Sequence, residues 1–592
     1  MSTAVYLDGA GQPVFGLLDD PGAGRRARTA VLLCPPFGWQ DVSSYRSRRE
    51  WARRLAASGH PALRIDLPGA GDSAGSPRDG DRLGAWTEAV DQACEWLRAT
   101  TGCETIAAAG IGLGGLVACR AAASGAAIDE LILWGVPARG RTLVRELRAL
   151  QRMETEWLKA AGAPEMPPAP PGFVEAGGFV LTAETTAALE ALDESGLDLR
   201  RVRRALLLER DGLAPDARLR GRLEASGVPV TVAPGPGFGQ MMAGPQDARV
   251  PHDTFTRIAA WLGAGDGSPA APSPPTRAIE RLDALELSAD GARVRERPLE
   301  IDQPWGRLFG ILTEPVDHPA SARCVVLLNS GAVRHIGHNR MWVEAARRWA
   351  AHGVPTLRLD LEGIGDADGD GERYADVTRF YLPTLGDQVR AALDALEQRG
   401  LPDRFVIVGL CAGAYWAFEA AQRDPRVAAA FVVNPGALIW DPAIVVRRDA
   451  RRAAKLVRLS SWRRILRGHV SRALMLASAR ALLVSAVRLA RRLASRRASG
   501  RAGGDPLAEA LDHLRDTDKH VLLAFCDGEA VDEELARDGY LERLERWPNV
   551  TLERFPGRDH TIRPTWMQRN VHDLLDRALD EELRRAPAVV QP

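Results

Sequence analysis

The residue with the most chemistry to offer is Cys411. It sits in Gly409-Leu410-Cys411-Ala412-Gly413, between the apolar run Phe405-Val406-Ile407-Val408 and an apolar helical pattern. Strand, sharp turn and helix in that order put the sulfur at the carboxyl edge of a sheet, above a helix N-terminus whose dipole favours thiolate. A nucleophilic thiol needs a proton partner. Thiol and imidazole pKa values lie close enough to share a proton near neutrality. A carboxylate on the far ring nitrogen then fixes the tautomer. Downstream of Cys411 the chain supplies both types, in Cys526-Asp527-Gly528-Glu529 and in Pro556-Gly557-Arg558-Asp559-His560-Thr561. The five elbow residues alone are equally compatible with a buried structural cysteine.

The elements that must position these groups come in duplicate. LRIDLPGAGDSAG at 63–75 and LRLDLEGIGDADG at 357–369 are offset by 294 residues. Each copy follows an apolar strand and an Arg-rich amphipathic helix, and each precedes a helix and a Gly-rich elbow, GIGLGG at 110–115 and GLCAGA at 409–414. Strands alternating with helices of this length predict a mostly parallel sheet flanked by helices. A chain of 592 residues is too long for one core. Gly263 to Thr276, GAGDGSPAAPSPPT, is too rich in Pro, Gly, Ala and Ser to build one. The expected organisation is therefore α/β, with a first domain over 1–264, a linker over 265–277 and a second domain over 278–585. Each domain carries a helical insertion after the strand that follows its elbow helix, and the second of these runs over about 437–515.

The repeated DLxGxGD, the GLCAG elbow and the late PGRDH at 556–560 resemble the α/β-hydrolase superfamily, within it the serine-aminopeptidase-like branch, and the resemblance covers nearly the whole chain. It implies two tandem hydrolase domains, insertions that cap the active site, and a nucleophile, acid and histidine in that chain order. On that pattern Cys411 replaces the usual serine as nucleophile and His560 is the base. Glu529 is the favoured acid, with Asp527 as the alternative. The oxyanion donors fall on the N–H of Ala412 and, in the loop Asn329-Ser330-Gly331-Ala332, on that of Ala332. His335 and His338 lie in the same loop; the default for such histidines is the surface, and they are left out of the site. The first copy fails the same test. Its elbow offers Gly112 and its late loop Gln240, with only Asp211 near the acid position.

The implied activity is acyl transfer through an acyl-cysteine, on an ester or thioester, to water or to an alcohol or amine. No cofactor and no metal is implied. Net charge is zero, yet Arg447 to Arg501 holds 17 Lys or Arg against one acid, leaving −16 on the rest. The surplus suits pairing with that remainder, an acidic acyl carrier protein, CoA, or weak contact with an anionic membrane. It does not suit nucleic acid, since Trp462 is its lone aromatic residue. Seven scattered cysteines without zinc spacing, no apolar run of membrane-spanning length and no N-terminal leader pattern give the expectation of a reduced, cytoplasmic protein.

Overall fold

The computed structural model describes residues 2–8, 12–21, 27–160, 162–164, 167, 169–193, 197–265, 280–441 and 505–585. The basic stretch from Arg447 to Arg501 lies outside them. By internal contacts, Met1–Gly436 with Lys519–Pro592 is one compact unit and Ala437–Asp518 another. Every β-strand among the described residues lies in the first unit.

Runs such as TIAAAGI (Thr105–Ile111), FVIVGL (Phe405–Leu410) and VAAAFVV (Val427–Val433) show no polar alternation, and every residue in them is buried. Such runs become the central strands of parallel sheets covered on both faces. Two nine-stranded sheets result. In spatial order the first runs Glu280–Leu282, Ser2–Asp8, Val14–Asp19, Ala62–Ile65, Thr29–Cys34, Thr105–Ile111, Glu130–Trp134, Arg204–Leu208, Val230–Ala233. The second runs Leu285–Ala289, Ala292–Gln303, Gly306–Pro315, Thr356–Asp360, Cys324–Leu328, Phe405–Leu410, Val427–Val433, His520–Cys526, Val550–Phe555. Both orders begin with antiparallel pairings and continue as parallel ones. The fold is thus α/β with two tandem hydrolase-like sheets. The strand Glu280–Leu282 lies past the Pro-rich linker, yet Tyr6 pairs with Leu282, so it completes the edge of the first sheet.

The Arg-rich helix before each repeated motif, which the apolar pattern suggests over 48–58 and over 345–352, runs over Trp39–Ala57 and Met341–Ala351, starting from Gly38 and Arg340. The first-half insertion forms the helix Gly140–Ala160, the hairpin Val174–Ala176 with Phe179–Leu181, and the helix Ala183–Ala191. Among the described residues, no helix is long and apolar enough to cross a membrane.

The repeated motif is also where the halves meet. Within each copy the second aspartate gives its N–H to the first, Asp72 to Asp66 at 3.0 Å and Asp366 to Asp360 at 2.9 Å. Between copies the arginines are exchanged. Arg64 donates to Asp366 at 3.1 Å, and its counterpart Arg358 donates to Asp72. Glu296 joins from the second sheet, accepting from Arg347 at 2.6 Å and Arg358 at 2.8 Å. The side chains of these groups are at most 10% exposed, and charges taken out of water persist only when paired in this way.

Candidate active site

The strand Phe405–Leu410 ends on Cys411, which caps the helix Ala412–Arg423 with φ 58° and ψ −113°. A side chain costs about 1–3 kcal/mol in such a backbone region, and surroundings must hold it there. The flanking glycines let them. A Cβ on Gly409 would come within 2.1 Å of the Gly413 carbonyl oxygen, and one on Gly413 within 2.3 Å of that of Asn329.

The Cys411 thiol is hydrogen-bonded to the His560 imidazole and receives the Ala412 N–H. Behind the ring, His560 Nδ1 lies 3.0 and 2.9 Å from the two Glu529 oxygens. Burial alone would push the Cys411 thiol up. The opposite charge and hydrogen bond of His560, with the Ala412 N–H, outweigh it and hold the thiol below its ordinary value. Burial would lower His560, but Cys411 and Glu529 raise it well above the usual imidazole range. Both shifts run in the direction that favours a proton moving from the sulfur to the ring. The other six cysteines are buried, and burial pushes the thiols of Cys94, Cys324 and Cys526 up and that of Cys34 up to about 12.

Of the two carboxylates read from the sequence, Glu529 reaches the ring. Asp527 points elsewhere, with its Oδ2 accepting the Gly557 N–H at 3.1 Å. Ala412 lies at the sulfur. The loop with the second expected donor reaches the elbow through Asn329, and Ala332 lines a small cavity with Asp41, Tyr45 and Arg46 of the first half.

The loop histidines are not surface residues: His335 is fully buried and His338 is 4% exposed. His335 Nδ1 lies 2.6 Å from Asp360 and its Nε2 2.8 Å from Asp72, across the junction of the halves. His338 Nε2 is 3.2 Å from Ser330 Oγ, and its ring centroid is 6.0 Å from that of Trp39. His335, Asp360 and Asp366 approach closely enough to hold a cation, but Asp366 is already satisfied by Arg64 and Tyr45 and His335 by its two aspartates.

Asn434 was invisible to the sequence reading. It follows the strand Val427–Val433 at φ 42°. Its Nδ2 donates to the His560 carbonyl at 2.9 Å, and its Oδ1 accepts the Cys526 N–H at 2.9 Å. It thereby ties the acid strand to the histidine loop. The sequence signal was present in the repeat, where Trp134-Gly135 corresponds to Val433-Asn434 and Gly135 also has positive φ. The first half contributes too: Glu175 accepts the Thr565 N–H at 2.9 Å and its hydroxyl at 2.8 Å, just past the histidine loop.

The first-half elbow keeps the backbone and loses the side chains. Gly112 has φ 51° and ψ −117° and caps Leu113–Ala123. Strand register fixes the place of Asp211 near the acid position. Trp134 pairs with Leu208 as Val433 pairs with Ala524, so Asp211 corresponds to Asp527 and Leu213 to Glu529. Asp211 does what Asp527 does, accepting the Gly237 N–H at 2.5 Å.

Residues 325–577 match the alpha/beta hydrolase family. The matched segment contains Cys411, Glu529 and His560. Similar solved structures include a lidless α/β serine hydrolase from Xanthomonas campestris, 18% identical, covering 46% of this chain and 97% of that one with a TM-score of 0.29. Est1E from Butyrivibrio proteoclasticus with ferulic acid bound is 15% identical, covering 44% and 96% with a TM-score of 0.31. An esterase from Pyrococcus furiosus is 15% identical, covering 45% and 92% with a TM-score of 0.31. No curated protein matches the sequence.

Proposed function

We propose that the second half is an acyl-transfer enzyme with Cys411 as nucleophile, His560 as base and then acid, and Glu529 as the group that orients the ring. The observation that carries this is the unbroken hydrogen-bonded line from Glu529 through His560 to a thiol held below its ordinary pKa at a helix N-terminus. The thiolate attacks the carbonyl carbon of an ester or thioester. The tetrahedral oxyanion is met by the Ala412 N–H and by the turn after Cys324–Leu328. As the carbon–oxygen or carbon–sulfur bond breaks, His560 gives its proton to the leaving group, and an acyl-cysteine remains. His560 then takes a proton from water, an alcohol or an amine, whose attack releases the acyl group and restores the thiolate. With Gly112, Leu213 and Gln240 at the three corresponding positions, the first half performs none of these steps.

The basic stretch from Arg447 to Arg501 favours an acyl group presented on an anionic carrier, CoA or an acidic carrier protein. The test has two parts. Iodoacetamide at neutral pH labels Cys411 fastest among the seven cysteines, and His560→Ala abolishes that advantage. A panel of acyl-CoA thioesters and simple esters, with and without amine or alcohol acceptors, then reads substrate class and acceptor. Uniformly slow labelling with no turnover of any panel member would leave a scaffold built on two hydrolase-like sheets as the better account.

A further inference from the structure

The two copies of DLxGxGD spend their first aspartate differently. In the second half, Asp360 grips its own oxyanion loop. Its Oδ1 accepts from Asn329 Nδ2 at 2.9 Å and from the His335 N–H at 2.7 Å, and its Oδ2 lies 2.6 Å from His335 Nδ1. Asn329 in turn accepts the Leu361 N–H at 3.1 Å. In the first half, the residues 294 positions before Asn329 and His335 are Pro35 and Asp41, which offer no such donors. Asp66 instead takes a donor from the other half. Its two oxygens accept Arg334 Nη2 at 2.9 Å and Nη1 at 3.1 Å, a bidentate fork. Asp72 adds a second hold, 2.8 Å from His335 Nε2.

Arg334 and His335 form one stem of the loop and Asn329 the other. Between them Ser330 accepts the Val333 N–H at 3.1 Å, closing a turn with Gly331 at φ 54°. Among the described residues, neither Gly331 nor Ala332 gives its N–H to a partner, so the turn presents free donors. The Asn329 stem is anchored within the catalytic half, whereas the Arg334–His335 stem is held from both halves, by Asp360 and by Asp66 and Asp72. Arg334 is buried, 5% exposed, and its guanidinium lies 4.1 Å over the Tyr45 ring of the first half, so it has one seat.

We propose that Asp66 and Asp72 of the first half are positioning residues for the oxyanion loop of the second, making the degenerate half an intramolecular activator of acyl transfer. This rests on the function proposed above and assigns it a new requirement. An aspartate that lies across the junction sets where the free N–H groups stand relative to the carbonyl under attack. It leaves the Glu529–His560–Cys411 line untouched, because none of those groups contacts Asp66 or Asp72.

Nucleophile formation and oxyanion stabilisation are therefore separable by experiment. Asp66→Asn is compared with wild type in two assays: turnover of the panel member that wild type processes fastest, and the rate of Cys411 alkylation by iodoacetamide. The expected result is a kcat lower by about 100-fold, the low end of the range for a lost oxyanion donor, with KM and alkylation rate within a factor of about two. Folded Asp66→Asn with wild-type kcat overturns the proposal, as does alkylation falling in step with kcat. Should Asp66→Asn not fold, Tyr45→Leu removes the ring under Arg334 and is read by the same two assays. Failure of the underlying function looks different: wild type itself then neither turns over the panel nor labels selectively at Cys411.

Discussion

Two elbows in this molecule have almost the same backbone and opposite contents. Cys411 stands at φ 58°, ψ −113° and Gly112 at φ 51°, ψ −117°. The N–H of each donates to the neighbouring strand, Cys411 to Val433 O at 3.1 Å and Gly112 to Trp134 O at 3.2 Å. The sharp turn is therefore a property of the sheet and its glycines, not of the nucleophile. The proposed chemistry is a separable layer of four side chains, Cys411, Glu529, His560 and Asn434, whose counterparts are Gly112, Leu213, Gln240 and Gly135. The one acid common to both, Asp527 and Asp211, holds the backbone of the late loop in each.

That comparison can be broken most severely at the acid. Glu529→Gln should lower kcat by about 10³-fold, since the ring loses its orienting charge, whereas Asp527→Asn should stay within about threefold because an amide oxygen accepts the same Gly557 N–H. Steady-state kinetics on the pair decides between them; the reverse ranking would move the triad acid to Asp527. A smaller effect is expected from Asn434→Gly, which copies Gly135 and suits the positive φ. Loss of its two buried hydrogen bonds should cost about 1–2 kcal/mol in denaturant unfolding and lower kcat without abolishing it. Gly112→Cys sharpens the contrast from the other side. Its Cβ meets the movable tip of Gln40, 2.8 Å away, and its backbone region costs a side chain about 1–3 kcal/mol, so the variant should fold with reduced stability. Without an imidazole its thiol should alkylate at least about tenfold more slowly than Cys411, and equal rates would show that the elbow alone activates sulfur.

The mildest expectation concerns pH. Burial lowers His335, but Asp72 and Asp360 outweigh burial and push it up to about 10. With an unfolded value of about 6.5, its contribution to stability is complete below that pH and drains away as pH rises toward 10. The urea midpoint should fall across that window, and His335→Gln should flatten the slope.

Much of this was legible in the sequence. Parallel strands announce themselves as unbroken apolar runs, and the elbow by glycines that no side chain could replace. The 294-residue offset gave two sheets of one order. What escaped reading depends on residues far apart in the chain. His335 looked like a surface histidine because its aspartates lie 25 and 263 positions away. Asp211 could be placed only near the acid position because spacing from a strand end is uncertain by a residue or two, and register with Trp134 puts Leu213 at the position of Glu529. Asn434 bonds to groups 92 and 126 residues downstream, and nothing local marks it.

The exchanged arginines carry one more consequence. Dissolved ions cannot enter where Arg358, Asp72 and Glu296 meet, because all three side chains have no exposed surface. At 1 M salt the screening length shrinks to about 3 Å, and exposed pairs such as Arg200 with Asp198 fade. The grip between the halves does not, so this protein should be as well assembled in brine as in dilute buffer.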